Sequence, residues 1–472
     1  MMWNFNPYLN KHAAISETGE TITYAELKSF AQEMHTQIPE RALVFSLCEN
    51  TIGSLAGYVG FLENKIVPLL LDSGMDAELL EQLIALYHPS YLWLPEAMKE
   101  SFLKQKVHQN NTEVWRSRGY VLLKTHLAPY PLNDALALLL TTSGSTGSPK
   151  LVRQSAQNIQ ANAESIAEYL ELTEAERPIT SLPMNYTYGL SIINSHLLKG
   201  ATLLMTTKSF MQKEFWQFFK EQEATSIAGV PYNYEMLKRL RFFRMDLPSL
   251  KTMTQAGGKL SPELHKEFAE YAQATNRRFY VMYGQTEATA RMSYLPYQEA
   301  LRKYGSMGVA IPGGKFSLID IDGKSFDEAE KVGELVYEGP NVTLGYAERG
   351  EDLIRGDERK GVLITGDMAK KDDEGYYYIV GRKKRFVKIF GNRVNLDETE
   401  RMIKTAFENL DCACSGVDDH MKIFITNEAE TESVKQYVSE KTGLHFSAFT
   451  VKAIDTIPKN EAGKTLYKNL PE

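Results

Sequence analysis

Cysteine is nearly absent: the 472 residues contain three, Cys48, Cys412 and Cys414. That excludes a disulfide framework and suits a reducing compartment. The run "CAC" lacks the spacing of a zinc knuckle and has no histidine pair beside it, so it reads as a buried strand. Long apolar runs are missing as well. The longest, "ALALLL" and "IVPLLL", fall far short of the roughly 20 residues that cross a bilayer. The N-terminus has no basic stretch followed by an apolar one, so no secretory leader is expected. Nor is there an excess of positive charge. The formal net charge of -7 argues against nucleic acid as a partner, because such proteins displace counterions with a basic surplus. The expectation is a soluble cytoplasmic protein with no membrane span. The chain is too long for one ordinary core, which predicts two or three domains.

What is present is an alternation of strand and helix patterns. "ALVFSLCEN" reads as a buried strand, "TIGSLAGYVGFLENK" has helical spacing at Ile52, Leu55, Tyr58 and Leu62, and "IVPLLLD" is a second strand. That order implies a parallel pair with a crossover helix. The pattern recurs where "ALALLL" leads through a loop into the helix "SAQNIQANAESIAEYL", and "ATLLMT", "ATSIAGV" and "RRFYVMYG" are further strands. Together they predict an α/β body of layered sheets. Near residue 380 the character changes. A basic turn, a short hairpin at Gly391-Asn392 and an amphipathic helix follow. The division expected is a large domain over 1–380, a hinge at 381–385 and a small mobile α+β lid over 386–472.

The loop "TTSGSTGSPK" suits phosphate. Small residues let the backbone approach, and N–H groups and hydroxyls donate to its oxygens. Read alone, it could also be a polar surface turn. It is not a P-loop. Lys150 follows Pro149 and precedes Leu151, so no hydroxyl stands where a magnesium ligand belongs.

The order of residues resembles instead the signature of the adenylate-forming superfamily, which includes acyl- and aryl-CoA synthetases, adenylation domains and beetle luciferases. Further segments match in family order. "YGQTE", "ITGD", "GRKKRFVKIFGNRV" and "IPKNEAGKTLY" resemble its later motifs, and "TITYAELKSF" its N-terminal region. The resemblance implies a nucleotide site of Thr142, Ser143, Gly144, Ser145, Thr146, Gly147, Lys150, Gly258, Lys259, Tyr283, Gly284, Asp367 and Arg382. Within it Tyr283 would take adenine, Thr286 a phosphate oxygen, Glu287 Mg²⁺, and Asp367 with Arg382 the ribose. Lys464 would bridge carboxylate and α-phosphate, Lys384 would be the hinge, and Lys388 would serve the second step. The implied reaction joins a carboxylic acid to ATP as an acyl-adenylate, then passes the acyl group to coenzyme A or to the phosphopantetheine of a carrier protein. A nucleotide-binding sensor without turnover is disfavoured, since Lys150, Glu287, Asp367 and Lys464 all have the chemically required types.

The segments "LPMNYTYG", "GVPYNY" and "QAGGKLSP" resemble the family's acid pocket and imply Tyr186, Val230, Tyr232 and Gly257 there. Core packing is the other reading of those tyrosines. Tyr186 stands where the family often has histidine. Gly189 falls about where amino-acid-activating relatives place an aspartate, and without that anion an α-ammonium would be buried unpaired. A non-amino acid is therefore favoured. Lys259 either meets a second carboxylate or reaches solvent.

Overall fold

Leu43–Cys48 is a strand buried at every position. Helix Ile52–Glu63 follows under a Thr51 side-chain cap, and Val67–Asp72 returns parallel to the first strand. This is the expected crossover unit. In a strand, successive side chains point to opposite faces, and these strands obey that rule. Val44 and Leu70 join an apolar cluster with Tyr58 and Trp93, while Phe45, Leu69 and Leu71 join another with Ile84 and Tyr87. The sheet between the two clusters has eight strands, in the order Gly345–Ala347, Leu151–Ser155, Leu136–Thr141, Val67–Asp72, Leu43–Cys48, Tyr91–Pro95, Tyr120–Lys124 and Thr112–Ser117. These positions come from a computed structural model that describes residues 3–104, 110–141, 150–389, 392–407, 409–417, 419–459 and 465–471.

A second sheet runs Ser226–Gly229, Thr252–Gln255, Arg278–Tyr283, Ser293–Tyr294 and Val309–Ala310, its first three strands parallel. A third pairs Leu203–Met205 with His12–Ser16 and Thr21–Thr23. Layered sheets with helices between them are the α/β body that the sequence predicts.

Two local expectations need correction. The loop after "ALALLL" does not open directly into a helix. It closes a hairpin, because Leu151–Ser155 returns antiparallel to Leu136–Thr141 before helix Ala156–Tyr169 begins. Ser155 supplies that helix with a capping box, its hydroxyl accepting from the Asn158 N–H at 3.0 Å. In the second hairpin, Asn392 already pairs with Ile389 in the ladder and so belongs to a strand, not to the turn that "Gly391-Asn392" suggests.

The described chain divides into two compact units. The second is built from residues 316–336 and 364–472, and the first from the remainder. The second unit holds a five-stranded sheet in the order Ser325–Phe326, Lys315–Ile319, Gly333–Glu338, Val362–Lys371 and Tyr377–Arg382. It continues through the hairpin Phe386–Ile389 and Asn392–Asn395 into helix Leu396–Ala406, then a sheet of Cys412–Val417, His420–Ile425 and Phe449–Ala453. Cys412 and Cys414 are fully buried in that sheet, as their strand reading requires. Among the described residues no helix is long and apolar enough to cross a membrane.

Candidate active site

Strand Arg278–Tyr283 ends at Tyr283, and Gly284 turns the chain sharply back on itself. A Cβ at position 284 would lie 1.7 Å from the Ala290 carbonyl oxygen, so only glycine fits. The tight 3₁₀ turn Thr286–Ala288 then presents Glu287. Its backbone carbonyl accepts from the Thr343 N–H at 3.0 Å, the Thr343 hydroxyl at 2.8 Å and the Arg359 guanidinium at 3.1 Å. Its carboxylate oxygen Oε1 accepts from the Tyr346 hydroxyl at 2.7 Å. Burial first, and then the Glu287 charge, push the Tyr346 phenol up, so at neutral pH it is a proton donor to the carboxylate.

Lys150 reaches the same ring. Its Nζ stands 5.6 Å from the Tyr346 centroid and 2.6 Å from Glu348 Oε1. Antiparallel pairing puts it there, because Tyr346 lies opposite Val152 and Ala347 opposite Leu151 in the ladder. The Arg359 guanidinium also stands over the ring, 4.6 Å from its centroid. Two residues expected at the nucleotide site, Lys150 and Glu287, thus come together around a tyrosine that sequence reading did not single out. Tyr346, Thr343 and Arg359 were all missed. The first two sit in a short strand-like run and the third in the charged loop "GDERKG", which reads as solvated surface.

Three of the residues expected at the acid pocket come together from distant segments. Gly257 has φ +80°, and a Cβ there would meet the Tyr186 hydroxyl oxygen at 2.5 Å and Val230 Cγ1 at 3.0 Å. Tyr186 and Val230 are the residues just before helices Thr187–Leu198 and Pro231–Arg239. Gly258 lies against Pro231, and the Gln255 side chain holds its carbonyl at 2.9 Å. Burial pushes the Tyr186 phenol up. Tyr232, by contrast, is 45% exposed, and Lys259 is exposed. At position 189 a Cβ would lie 2.2 Å from the Pro183 carbonyl oxygen. The helix as packed leaves no room for a side chain there, aspartate included.

In the second unit Asp367 and Arg382 meet. They are partners in the ladder between Val362–Lys371 and Tyr377–Arg382, with Arg382 Nε 3.1 Å from Asp367 Oδ1. Asp367 is buried and sits inside its strand, not at the strand end that "ITGD" suggested. The strand runs four residues further because Ala369, Lys370 and Lys371 continue the pairing. Lys384 lies in the turn Lys383–Arg385 and Lys388 in strand Phe386–Ile389, but their side chains lie outside the described set. Thr142, Ser143, Gly144, Ser145, Thr146, Gly147 and Lys464 fall outside the described residues.

Among the described residues no group of three or more His, Cys, Asp or Glu could cage a metal ion. Glu287 still fits Mg²⁺, which takes one or two protein carboxylates and fills its shell with phosphate oxygens and water. Tyr346 fixes one carboxylate oxygen, and Glu287 Oε2 makes no hydrogen bond or ion pair among the described residues.

Comparison with known proteins gives the chain's relatives. The curated relatives include peroxisomal OPC-8:0-CoA ligase 1 of Arabidopsis thaliana, 28% identical over 354 residues, which cover 71% of this chain and 64% of that one. They also include a long-chain-fatty-acid–CoA ligase of Bacillus subtilis, 26% identical over 388 residues, with 78% and 68% covered. The chain spans less than two thirds of the length of the first of these. Among solved structures, o-succinylbenzoate CoA synthetase of Bacillus subtilis with its acyl-adenylate intermediate superposes with a TM-score of 0.78 at 22% identity. That match covers 99% of this chain and 96% of that one. ATP-bound MatB of Rhodopseudomonas palustris gives 0.77 at 21% identity, covering 98% and 96%. Residues 3–347 match the family described as AMP-binding enzyme, and with that match over most of its length the chain belongs to this family and to the adenylate-forming fold.

Proposed function

We propose that the protein activates a carboxylic acid with ATP and passes the acyl group to a thiol, coenzyme A being the acceptor the CoA-ligase relatives favour. The observation that carries this reading is the meeting of Lys150, Arg359 and Glu287 around Tyr346. A carboxylate is a poor acylating agent because its oxygen leaves badly. When its oxygen attacks the α-phosphorus, the new O–P bond replaces the bond to the β-phosphate and pyrophosphate departs. The thiol sulfur, giving up its proton, then attacks the acyl carbon, the new C–S bond replaces the C–O bond to the phosphate, and AMP departs.

The first step brings two anions together, so it needs cations placed in advance. Lys150 and Arg359 supply fixed positive charge, and Lys464 is assigned to bridge the reacting groups. Mg²⁺, when bound, neutralises phosphate charge. Glu287 would hold it, and Tyr346 keeps that carboxylate in place. Tyr283 is assigned to adenine and the Asp367–Arg382 pair to the ribose. Tyr186, Val230 and Gly257 would bound the acid pocket, whose aromatic wall suits a flat or apolar acyl group without an α-ammonium. The segment 381–385 is assigned as the hinge, with Lys384 absorbing the change that exchanges Lys464 for Lys388 between the two steps.

Carboxylate-dependent exchange of labelled pyrophosphate into ATP tests this across a panel of fatty, aryl and dicarboxylic acids. At least one acid should support exchange and, with coenzyme A added, yield a thioester and AMP. Silence across the whole panel would refute the reading.

A further inference from the structure

Thr289 has φ +64° and ψ −57°, and the Ala290 N–H donates to the Ala288 carbonyl at 2.7 Å. That is a three-residue γ-turn of the rare, strained hand. Strain of this kind persists only where the surroundings over-determine it. A β-branched residue is a poor occupant of positive φ, where glycine would fit freely.

Hydrogen bonds hold the turn. The Thr289 hydroxyl donates to the Asn341 carbonyl at 2.7 Å. The Asn341 amide donates back to the Ala288 carbonyl at 2.9 Å and the Arg291 carbonyl at 3.1 Å. The Thr289 carbonyl itself accepts from the Thr187 hydroxyl. The turn is buried and borders a small void of about 10 Å³, about the room of one water, lined by Gln154, Asn162, Thr187, Ser191 and Thr289, among others. Gln154 is 1% exposed, yet neither its amide nitrogen nor its oxygen has a partner among the described residues. Unused hydrogen-bonding capacity therefore lies beside the strained peptide.

The two ends of the Thr187–Thr289 bond matter for chemistry. Thr187 directly follows Tyr186, at the mouth of the acid pocket, and Thr289 is two residues after Glu287. We propose that Thr187 is a positioning residue that couples occupancy of the acid pocket to the placement of Glu287, and so to the metal that Glu287 would hold. This rests on the function proposed above. An acid seated against Tyr186 fixes the first turn of helix Thr187–Leu198, keeps the Thr187 hydroxyl on the Thr289 carbonyl, and maintains the strained turn that orients Glu287. Without the acid that hold on the turn is weaker, and Glu287 is less firmly placed.

The test uses Mn²⁺ as a paramagnetic probe, titrated by electron paramagnetic resonance into the full-length protein with a non-hydrolysable ATP analogue. An acid that supports exchange is either present or absent. In the parent, acid should tighten Mn²⁺ binding about fivefold or more, the lower range of coupling between linked sites. Thr187→Val, which keeps shape and loses the hydroxyl, should abolish the tightening, while analogue binding without acid stays as in the parent. Thr187→Ser should restore it. Thr289→Gly, which accepts the turn without strain, should fold normally and reduce the tightening. Exchange by Thr187→Val should require a higher Mg²⁺ concentration. If the parent exchanges pyrophosphate and Thr187→Val keeps the full acid effect on Mn²⁺, the coupling is overturned and the enzymatic reading stands. If Thr187→Val lowers only thermal stability, Thr187 is a structural bond and nothing more. If the parent itself shows no exchange with any acid, both ideas fall together.

Discussion

Replacing Tyr346 by phenylalanine isolates one hydrogen bond at the candidate site. The ring remains, with Lys150 Nζ 5.6 Å and the Arg359 guanidinium 4.6 Å from its centroid. What disappears is the 2.7 Å bond from the phenol to Glu287 Oε1. A hydrogen bond to a charged group is worth about 1.5–3 kcal/mol. Each ~1.4 kcal/mol lost from the transition state is tenfold in rate. If Glu287 must hold its metal in one orientation during adenylation, kcat/KM for pyrophosphate exchange should fall about 10- to 150-fold. Tyr346→Leu also removes the ring beneath two cations, each such contact being worth about 0.5–1 kcal/mol at partly exposed sites, and should fall several-fold further. A cycle with Glu287→Gln separates this bond from general damage. In that background Tyr346→Phe should cost far less, because the partner has lost its charge. Should Tyr346→Phe stay within twofold of the parent, or cost the same in both backgrounds, the role given to this tyrosine is wrong.

Gly257→Ala should spare the fold and damage the acid pocket, since the new methyl would meet the Tyr186 hydroxyl at 2.5 Å at a positive φ of +80°; the apparent KM for bulky acids should rise about tenfold while that for ATP stays level. Burial pushes His196 and His265 down to about 4, below their usual value of about 6.5. Both are neutral in the native state, so the unfolded chain binds more protons below pH 6.5. Their contribution is complete above that pH and is lost as pH falls toward 4, which predicts a denaturation midpoint that declines across this window, with uptake of about two protons on unfolding; a flat profile would contradict it. Arg385→Met should destabilise the second unit by about 3–5 kcal/mol. The guanidinium serves Asp397 at 2.7 Å, the Cys414 carbonyl at 2.6 Å and Glu400 at 2.5 Å, and stands 3.8 Å from the Tyr467 centroid. Burial already pushes Glu400 up, so the double variant Arg385→Met with Glu400→Gln should recover part of the loss in calorimetry. A double variant no more stable than the single one would show that an unpaired Glu400 is not the cause.

Much of the fold was readable because its signals are local. Six buried residues in a row at Leu43–Cys48, a threonine cap before Ile52 and a second apolar run at Val67–Asp72 each announce their element within a few positions. The errors came where a local signal had two outcomes. "LVRQ" is polar enough to pass for the end of a loop, and it became a strand only because Leu136–Thr141 and Gly345–Ala347 lie on either side of it. That same strand decided what could be read of the site. Lys150 and Glu287 were legible as chemical types in short motifs, each complete within a handful of residues. Their meeting was not, because it runs through Tyr346, which is 59 residues from Glu287 and is set beside Lys150 by the ladder register Tyr346 to Val152. A tyrosine in a strand has an ordinary reason to be there, and nothing in its neighbours marks it as a carboxylate's donor. Residues that do chemistry carry charge and spacing that a sequence displays. Residues that aim them carry only a position, and position is fixed by pairing between segments that no single window contains. The Thr187–Thr289 bond is of the second kind, spanning 102 residues from a side-chain hydroxyl to a backbone carbonyl with no local mark. Aiming residues of this sort are therefore where a structure adds most to a sequence already rich in motifs, and where substitutions that leave every motif intact should still change the metal and acid dependence of the reaction.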